Sequence, residues 1–205
     1  MPASRATRLR FFRLVLWALV ATAAVAIAMF LLLREKETSP QQITVAQNSI
    51  GGAFTLVGAD GKPFSSDRLQ GKPYAIYFGF TRCGDICPTT LSRLAKLRRE
   101  TGDENALNIV FVTIDPANDG PKEVGQYAEL FNAPIIGLTG SEQQINHVKK
   151  QYGIYAEPMP HASMGQQFAH TATVLLFGRD GKFAGTISAH DADSEAIAKL
   201  KQLIA

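Results

Sequence analysis

Twenty consecutive residues, Leu14 to Leu33 (LVLWALVATAAVAIAMFLLL), carry no charge. As a helix rising about 1.5 Å per residue they reach roughly 30 Å, the depth of a bilayer's hydrocarbon core. Such a segment is expected to span a membrane, so the water-soluble fold must come from the residues after it. Arg5, Arg8, Arg10 and Arg13 precede it without a single acid, whereas Arg34 and Lys36 beyond it are offset by Glu35 and Glu37. The positive-inside bias then puts the short N-terminus in the cytoplasm and the rest of the chain across the membrane. Trp17, near the cytoplasmic end, suits the interfacial belt. Two readings compete with the anchor, a cleaved signal peptide and a buried core helix. Ala24-Val25-Ala26 and Ala26-Ile27-Ala28 look like small-residue cleavage sites. A signal peptide's apolar region is normally about 7–15 residues, however, and Phe30 to Leu33 run on past both sites. An uncleaved anchor is the better reading. Either the anchor or the signal exports the remainder of the chain to a compartment that oxidises thiols and admits metals.

The distribution of charge agrees. Of the 21 basic residues, four lie before Leu14, which leaves 17 against all 18 acids. The formal net charge of +3 therefore belongs to the N-terminus. The exported part is near neutral and carries no basic nucleic-acid footprint, so no nucleic-acid partner is expected. With 46% hydrophobic and 19% charged residues the composition is that of a packed globular protein. Two cysteines are too few for a disulfide-stapled mini-domain. The expected organisation is a cytoplasmic N-terminus over 1–13, an anchor over 14–33, a polar tether over 34–50 and one domain over 51–205.

Within that domain, apolar runs alternate with helical patterns. Ala53 to Val57 and Lys62 to Phe64, joined by Gly-Ala-Asp-Gly, predict a hairpin. Tyr74 to Phe80 (YAIYFGF) and Leu107 to Ile114 (LNIVFVTI) predict buried strands. Leu91, Leu94, Ala95 and Leu97 fall on one face of a helix over Pro88 to Arg99. Further helices are predicted over Pro121 to Phe131, over Ser141 to Tyr152 with Ser141 as N-cap and Gly153 as its stop, and over Asp193 to Ile204. Ile135 to Leu138 is a short extended piece. Thr171 to Phe177 and Lys182 to Ile187 flank an Asp-Gly turn and predict a second hairpin. The pattern predicts an α/β sandwich with a mixed central sheet.

The chemistry gathers at Cys83-Gly84-Asp85-Ile86-Cys87-Pro88, between a strand end and a helix start, where open α/β sheets collect their sites. The helix's positive end and Arg82 are both expected to favour a thiolate and to keep at least one thiol reactive near neutral pH. Spacing of i, i+4 lets the pair close a disulfide or hold a soft metal ion. The plain alternatives are a permanent disulfide, whose loop is too short to restrain much chain, and two unrelated buried thiols. Arg, Asp and Gly beside the pair are poor core composition, which favours redox or metal chemistry.

Two thiolates leave a metal under-coordinated, so a third ligand is sought among four histidines. His147 lies beside Lys149 and Lys150 on a solvated helix face, and His190 sits in a polar stretch. His161 and His170 bracket a loop that also holds Met159 and Met164. His170 immediately precedes an expected buried strand, so the fold can aim it at the sheet rim. Cys₂His suits Cu(I), and imidazole also tolerates Cu(II), whereas structural zinc would want a fourth ligand.

Phe78-Gly79-Phe80-Thr81-Arg82-Cys83-Gly84-Asp85-Ile86-Cys87-Pro88, with Phe111-Val112-Thr113-Ile114-Asp115-Pro116-Ala117-Asn118-Asp119 downstream, resembles the SCO/SenC family. The order of anchor, tether, hairpin, CxxxC and a late histidine before a strand agrees, and the resemblance covers Gly51 to Ala205. It implies a thioredoxin-like fold that binds one copper, as Cu(I) or Cu(II), through Cys83, Cys87 and His170. It further implies a bacterial inner-membrane protein, single-pass, with its C-terminal domain in the periplasm. Its role would be to assist assembly of the dinuclear copper centre of cytochrome c oxidase, by delivering copper or by reducing the target's cysteines. The implied partners are the copper-containing subunit of that oxidase and a periplasmic thiol donor or copper donor. Arg82 and Gly84 stand where the family has His and Pro, which implies a looser, more positive motif loop. The Met and His residues of the 159–169 loop are either incidental or an auxiliary copper intake site. Asp115 and Asp119 are expected to order loops or engage a partner. The alternative function is an exported thiol–disulfide oxidoreductase or peroxide-reducing enzyme using Cys83 and Cys87 alone. Against it, the spacing is CxxxC rather than CxxC, and no proline occurs in His170-Thr171-Ala172-Thr173.

Overall fold

The computed structural model describes residues 17–19, 21–23, 29, 50–159 and 167–205, with the backbone alone at 158, 159, 167 and 169. The chain divides into two compact units, Met1–Val45 and Ala46–Ala205. In the first unit the described residues are helical, and Trp17, Leu19 and Met29 are exposed. Most of the expected anchor, Leu14 to Leu33, lies outside the described residues. Among the described residues no helix is long and apolar enough to cross a membrane.

The second unit is built on a seven-stranded mixed sheet. Its strands are β1 (Thr55–Gly58), β2 (Pro63–Ser65), β3 (Tyr74–Gly79), β4 (Asn108–Thr113), β5 (Ile135–Thr139), β8 (Val174–Phe177) and β9 (Phe183–Ile187). Two further strands, β6 (Ala156–Met159) and β7 (Gln167–His170), pair only with each other. The large sheet runs β2-β1-β5-β4-β3-β8-β9. The central pairs β3–β4 and β4–β5 are parallel, and β1–β2, β1–β5, β3–β8 and β8–β9 are antiparallel. The helices are α1 (Ile86–Glu100), α2 (Pro121–Glu129), α3 (Glu142–Gln151) and α4 (Asp193–Ile204).

All six residues of β3 are buried. Successive side chains of a strand point to opposite faces, so both faces of this sheet are covered. On one face Tyr77 lies beside Cys87 of α1, and Phe111 packs against Tyr127 of α2. On the other, Phe78 and Phe177 both pack against Tyr152 at the end of α3. The helix starts follow their sequences. Ser141 accepts from the Gln144 amide N–H while the Gln144 side chain accepts from the Ser141 N–H, a reciprocal capping box. Pro121 opens α2, where its missing N–H is not needed. The two Asp-Gly turns are built alike. Asp60 and Asp180 accept from the Lys62 and Lys182 amides, and Gly61 and Gly181 take the positive φ of the turn.

The mixed α/β architecture is as expected, and three local expectations need correction. The first helix begins at Ile86 rather than Pro88, which brings Cys87 inside it. The 159–169 stretch is not a loop throughout, because β6 and β7 form a hairpin with Ala156 opposite His170. The last hairpin's first strand starts at Val174 rather than Thr171. His170 therefore does not lead into a buried strand. It ends a strand of the small sheet, and Thr171–Thr173 cross from there to the large one.

Candidate metal centre

Cys83 lies four residues beyond the end of β3, and its amide N–H donates to the Phe80 carbonyl at 3.2 Å. Cys87 is the second residue of α1 and fully buried, whereas Cys83 is half-buried. Asp85 occupies the N-cap position without a side-chain capping bond. The Cys87 amide N–H instead points at the Cys83 sulfur, 3.4 Å away. An otherwise unused donor of the helix's first turn is thus directed at a thiol.

His170 reaches the pair from the small sheet. Its Nε2 lies 3.6 Å from the Cys87 sulfur, and its Nδ1 lies 3.2 Å from the Thr171 carbonyl oxygen. With Nδ1–H donating to that carbonyl, the Nε2 lone pair faces the sulfurs. Phe80 and Tyr77 meet the imidazole edge-on, with ring centroids at 6.0 and 6.3 Å. The Cys83, Cys87 and His170 donor atoms all lie within 4.8 Å of one another. Among the described residues this is the one group of three or more Cys, His, Asp or Glu able to hold a metal. A cleft of about 350 Å³ opens beside it, lined by Phe80, Cys83, Gly84, Ile86, Phe168 and His170.

The Cys turn is tied to the sheet through Asp119. This fully buried carboxylate accepts from the Thr81 amide (2.9 Å), the Thr81 hydroxyl (2.5 Å) and the Thr113 hydroxyl (2.6 Å). Its own carbonyl accepts from the Thr139 hydroxyl. One residue therefore joins the outgoing ends of β3 and β4 and, through Thr139, β5. Hydrogen bonds to a charged acceptor are the stronger kind. The expected loop-ordering role of Asp119 is what the structure contains. Asp115 has a different task. It accepts from the Arg82 guanidinium at 2.6 Å and from the Asn118 amide. Arg82, expected to act on Cys83, is paired with this buried carboxylate.

At Cys87 the expected pull of the helix terminus toward a thiolate does not prevail. Burial, reinforced by the Cys83 thiol, pushes the Cys87 thiol up to about 12. Removal from water outweighs the helix terminus here. Two tyrosines lie close by. Burial first, then the neighbouring Cys87 sulfur, raises the Tyr77 phenol far above its ordinary range, so it remains a proton donor. Tyr127 is raised chiefly by burial.

Gly79 and Tyr77 are site residues that the sequence motifs did not single out. A Cβ on Gly79 would lie 2.9 Å from the Cys87 sulfur and 2.9 Å from Tyr77 Cε1. Only a glycine lets α1 bring Cys87 this close to β3. The signal was present, since a glycine within a buried aromatic strand marks a close approach. Of the other histidines, His147 is exposed on α3 and His190 is exposed after β9. His161 and Met164 lie outside the described residues, as does the Met159 side chain.

Comparison with known proteins agrees with this geometry. The SCO1/SenC family model matches residues 42–205. The Saccharomyces cerevisiae protein SCO2, mitochondrial, is 32% identical over 160 residues, which is 76% of this chain and 53% of that one. The chain thus aligns with only about half the length of that curated relative. Bradyrhizobium japonicum ScoI, solved with copper bound, superposes with a TM-score of 0.68 at 34% identity, covering 75% of this chain and 99% of that one. BsSco, solved in connection with a disulfide switch and described as one of the Sco family of cytochrome c oxidase assembly proteins, has a TM-score of 0.62 at 25% identity. That match covers 77% of this chain and 94% of BsSco. These neighbours bear out the thioredoxin-like sandwich.

Proposed function

The chain belongs to the SCO1/SenC family, and from that membership and its clustered donors we infer a membrane-anchored copper-binding factor. It assists assembly of the dinuclear copper centre of cytochrome c oxidase. The observation that carries the reading is the convergence of Cys83, Cys87 and His170 donor atoms within 4.8 Å. Two sulfurs and one imidazole nitrogen form a soft, low-coordinate set that suits Cu(I) and accepts Cu(II). Zinc in a structural site would call for a fourth ligand, and the cluster supplies three. Copper is cargo here, taken up by the two deprotonated sulfurs and His170 Nε2 and passed to the oxidase's copper-containing subunit.

Uptake must displace the Cys87 proton, so loading releases protons and weakens as pH falls. His170 is oriented by the contact of its Nδ1 with the Thr171 carbonyl oxygen, which leaves Nε2 toward the sulfurs. The 350 Å³ cleft, with Ile86 41% exposed at its rim, offers a partner access to the half-buried Cys83. A second activity shares this site. The sulfurs are near enough for modest motion to close a disulfide, and BsSco carries a disulfide switch. Cys83 would attack a partner disulfide and Cys87 would resolve the mixed disulfide. The pair loses two electrons and two protons, and the partner disulfide becomes a dithiol. A Cys83–Cys87 disulfide and bound copper exclude each other, so loading in the periplasm depends on an external thiol donor. Export rests on the uncharged run at Leu14–Leu33, supported by the helical, exposed Trp17 and Leu19.

The test is an anaerobic Cu(I) titration of the reduced full-length protein beside Cys87→Ser and His170→Ala. One copper per chain is expected, lost in Cys87→Ser and weakened in His170→Ala. Unchanged stoichiometry in Cys87→Ser would overturn the assignment. For topology, a reporter fused after Ala205 should be active outside the cytoplasm. A membrane-free form beginning near residue 27 or 29 would refute the anchor.

A further inference from the structure

Tyr77 lies at the middle of β3, fully buried, with neighbours on both β4 and β8. Its ring meets His170 edge-on, and its Cε1 and the Cys87 sulfur both approach the same point beside Gly79. It therefore touches two of the three donors while lying outside the set. Its hydroxyl is buried and has no partner in hydrogen-bonding geometry, although Cys87 and Thr90 are close enough to act on it. A buried donor left unmade is unfavourable, and phenylalanine would fill the same space without that penalty. A thiol sulfur is a weak acceptor. A thiolate bound to a metal is a strong one. Hydrogen bonds to ligand atoms from outside the set orient those ligands and tune the metal.

We propose that Tyr77 is a positioning residue whose hydroxyl donates to the Cys87 sulfur when the site is loaded. The proposal rests on the copper reading above. The loaded site gains a partner for a donor that the unloaded site leaves unmade, so Tyr77 favours the loaded form. Because β3 is flanked on both sides within the sheet, the phenol also fixes the height at which the Cys87 sulfur stands above it. Tyr127 provides the internal control. Its hydroxyl is likewise buried and without a partner, and it lies near enough to feel the cysteines, but its ring packs on Phe111 and Phe131 rather than on His170.

The experiment uses the reduced full-length protein as wild type, Tyr77→Phe and Tyr127→Phe, probed with copper alone. Competition against a Cu(I) chelator should find Tyr77→Phe retaining copper about tenfold more weakly, with Tyr127→Phe unchanged. The sulfur-to-Cu(II) charge-transfer band should move to lower energy in Tyr77→Phe only, because the sulfur loses a hydrogen bond. The melting temperature of metal-free Tyr77→Phe should equal or exceed that of wild type. A purely structural tyrosine would lower that temperature and leave the band in place, which would overturn the proposal. So would wild-type retention with an unmoved band, or an equal band shift in Tyr127→Phe. A wild-type chain that takes up no copper would instead bring down the copper reading, and this proposal with it.

Discussion

The cysteines and the histidine are held by very different parts of the molecule. Cys83 and Cys87 sit at the outgoing end of β3, the strand flanked by β4 and β8 in a seven-stranded sheet. Their turn is tied down by the buried Asp119 carboxylate and its bonds from Thr81 and Thr113. His170 ends β7, one strand of a two-stranded sheet outside the large one. Its nearby anchors are the Thr171–Tyr155 backbone bond and contact with Phe80 and Tyr77. Two-stranded hairpins are marginal alone, whereas central strands open only with the whole fold. A donor set divided in this way keeps its sulfurs in fixed register and leaves its nitrogen on the more separable element. On the proposed copper-cargo function, such a division suits a site that both retains and surrenders an ion.

The contrast breaks most severely at Asp119. Replacing it with Ala leaves the Thr81 amide and the Thr81 and Thr113 hydroxyls without their buried acceptor. A loss of about 3 kcal/mol or more is expected, and thermal unfolding should show a melting temperature lower by roughly 10 °C. A drop of only a degree or two would mean that the cysteine turn does not depend on this carboxylate. Gly79→Ala comes next. Its Cβ would collide with the Cys87 sulfur and Tyr77, so about 1–3 kcal/mol should be lost through overpacking. Copper affinity should fall with it, as measured by chelator competition. Normal affinity would show that α1 can shift without harm.

The histidine side should respond differently. His170→Ala should weaken copper retention about 10–100-fold, Cu(II) more than Cu(I), while melting temperature and thiol–disulfide potential stay near wild type. Loss of the redox behaviour with copper affinity intact would reverse the assignment and favour the oxidoreductase. The smallest effect concerns pH. In the folded, reduced, metal-free protein the Cys87 thiol stays protonated up to about 12, but once unfolded it ionises near 9.0. Its contribution is therefore whole below pH 9 and declines as pH rises from there. Between pH 9 and 10 the fall should be at most about 1.4 kcal/mol per pH unit. Denaturant titrations of wild type and Cys87→Ala should differ in slope over that window. Parallel slopes would mean that Cys87 is not buried as a neutral thiol.

Much of the sheet is readable from sequence because its strands are long apolar runs buried on both faces. YAIYFG and NIVFVT have no other stable environment. The first hairpin and α3 are readable from turn and capping residues whose preferences act within a few positions. The β6–β7 hairpin is not. Pro158, Met159, Gln167 and His170 show no period-two pattern, and their pairing depends on closure across residues 160–166 rather than on local preference. The direction of Arg82 is hidden as well. Beside Cys83 in sequence, it is drawn 33 residues away to Asp115, because a buried carboxylate and a guanidinium form a strong charge-assisted hydrogen bond.

The kinds of donor available, the CxxxC spacing at a strand–helix junction and the uncharged run ahead of the domain are all written in the order of residues. They are local facts that no packing arrangement can alter. Folding alone brings His170 to Cys87, 83 residues earlier, at 3.6 Å, and seals Cys87 from water while leaving Cys83 half-open. It also sets Tyr77 beneath the pair with its hydroxyl unbonded. The physical reason is that burial and distance are properties of the packed sheet as a whole. Desolvation, which outweighs the helix terminus at Cys87, exists only once β3, β4 and α1 have closed around the sulfur.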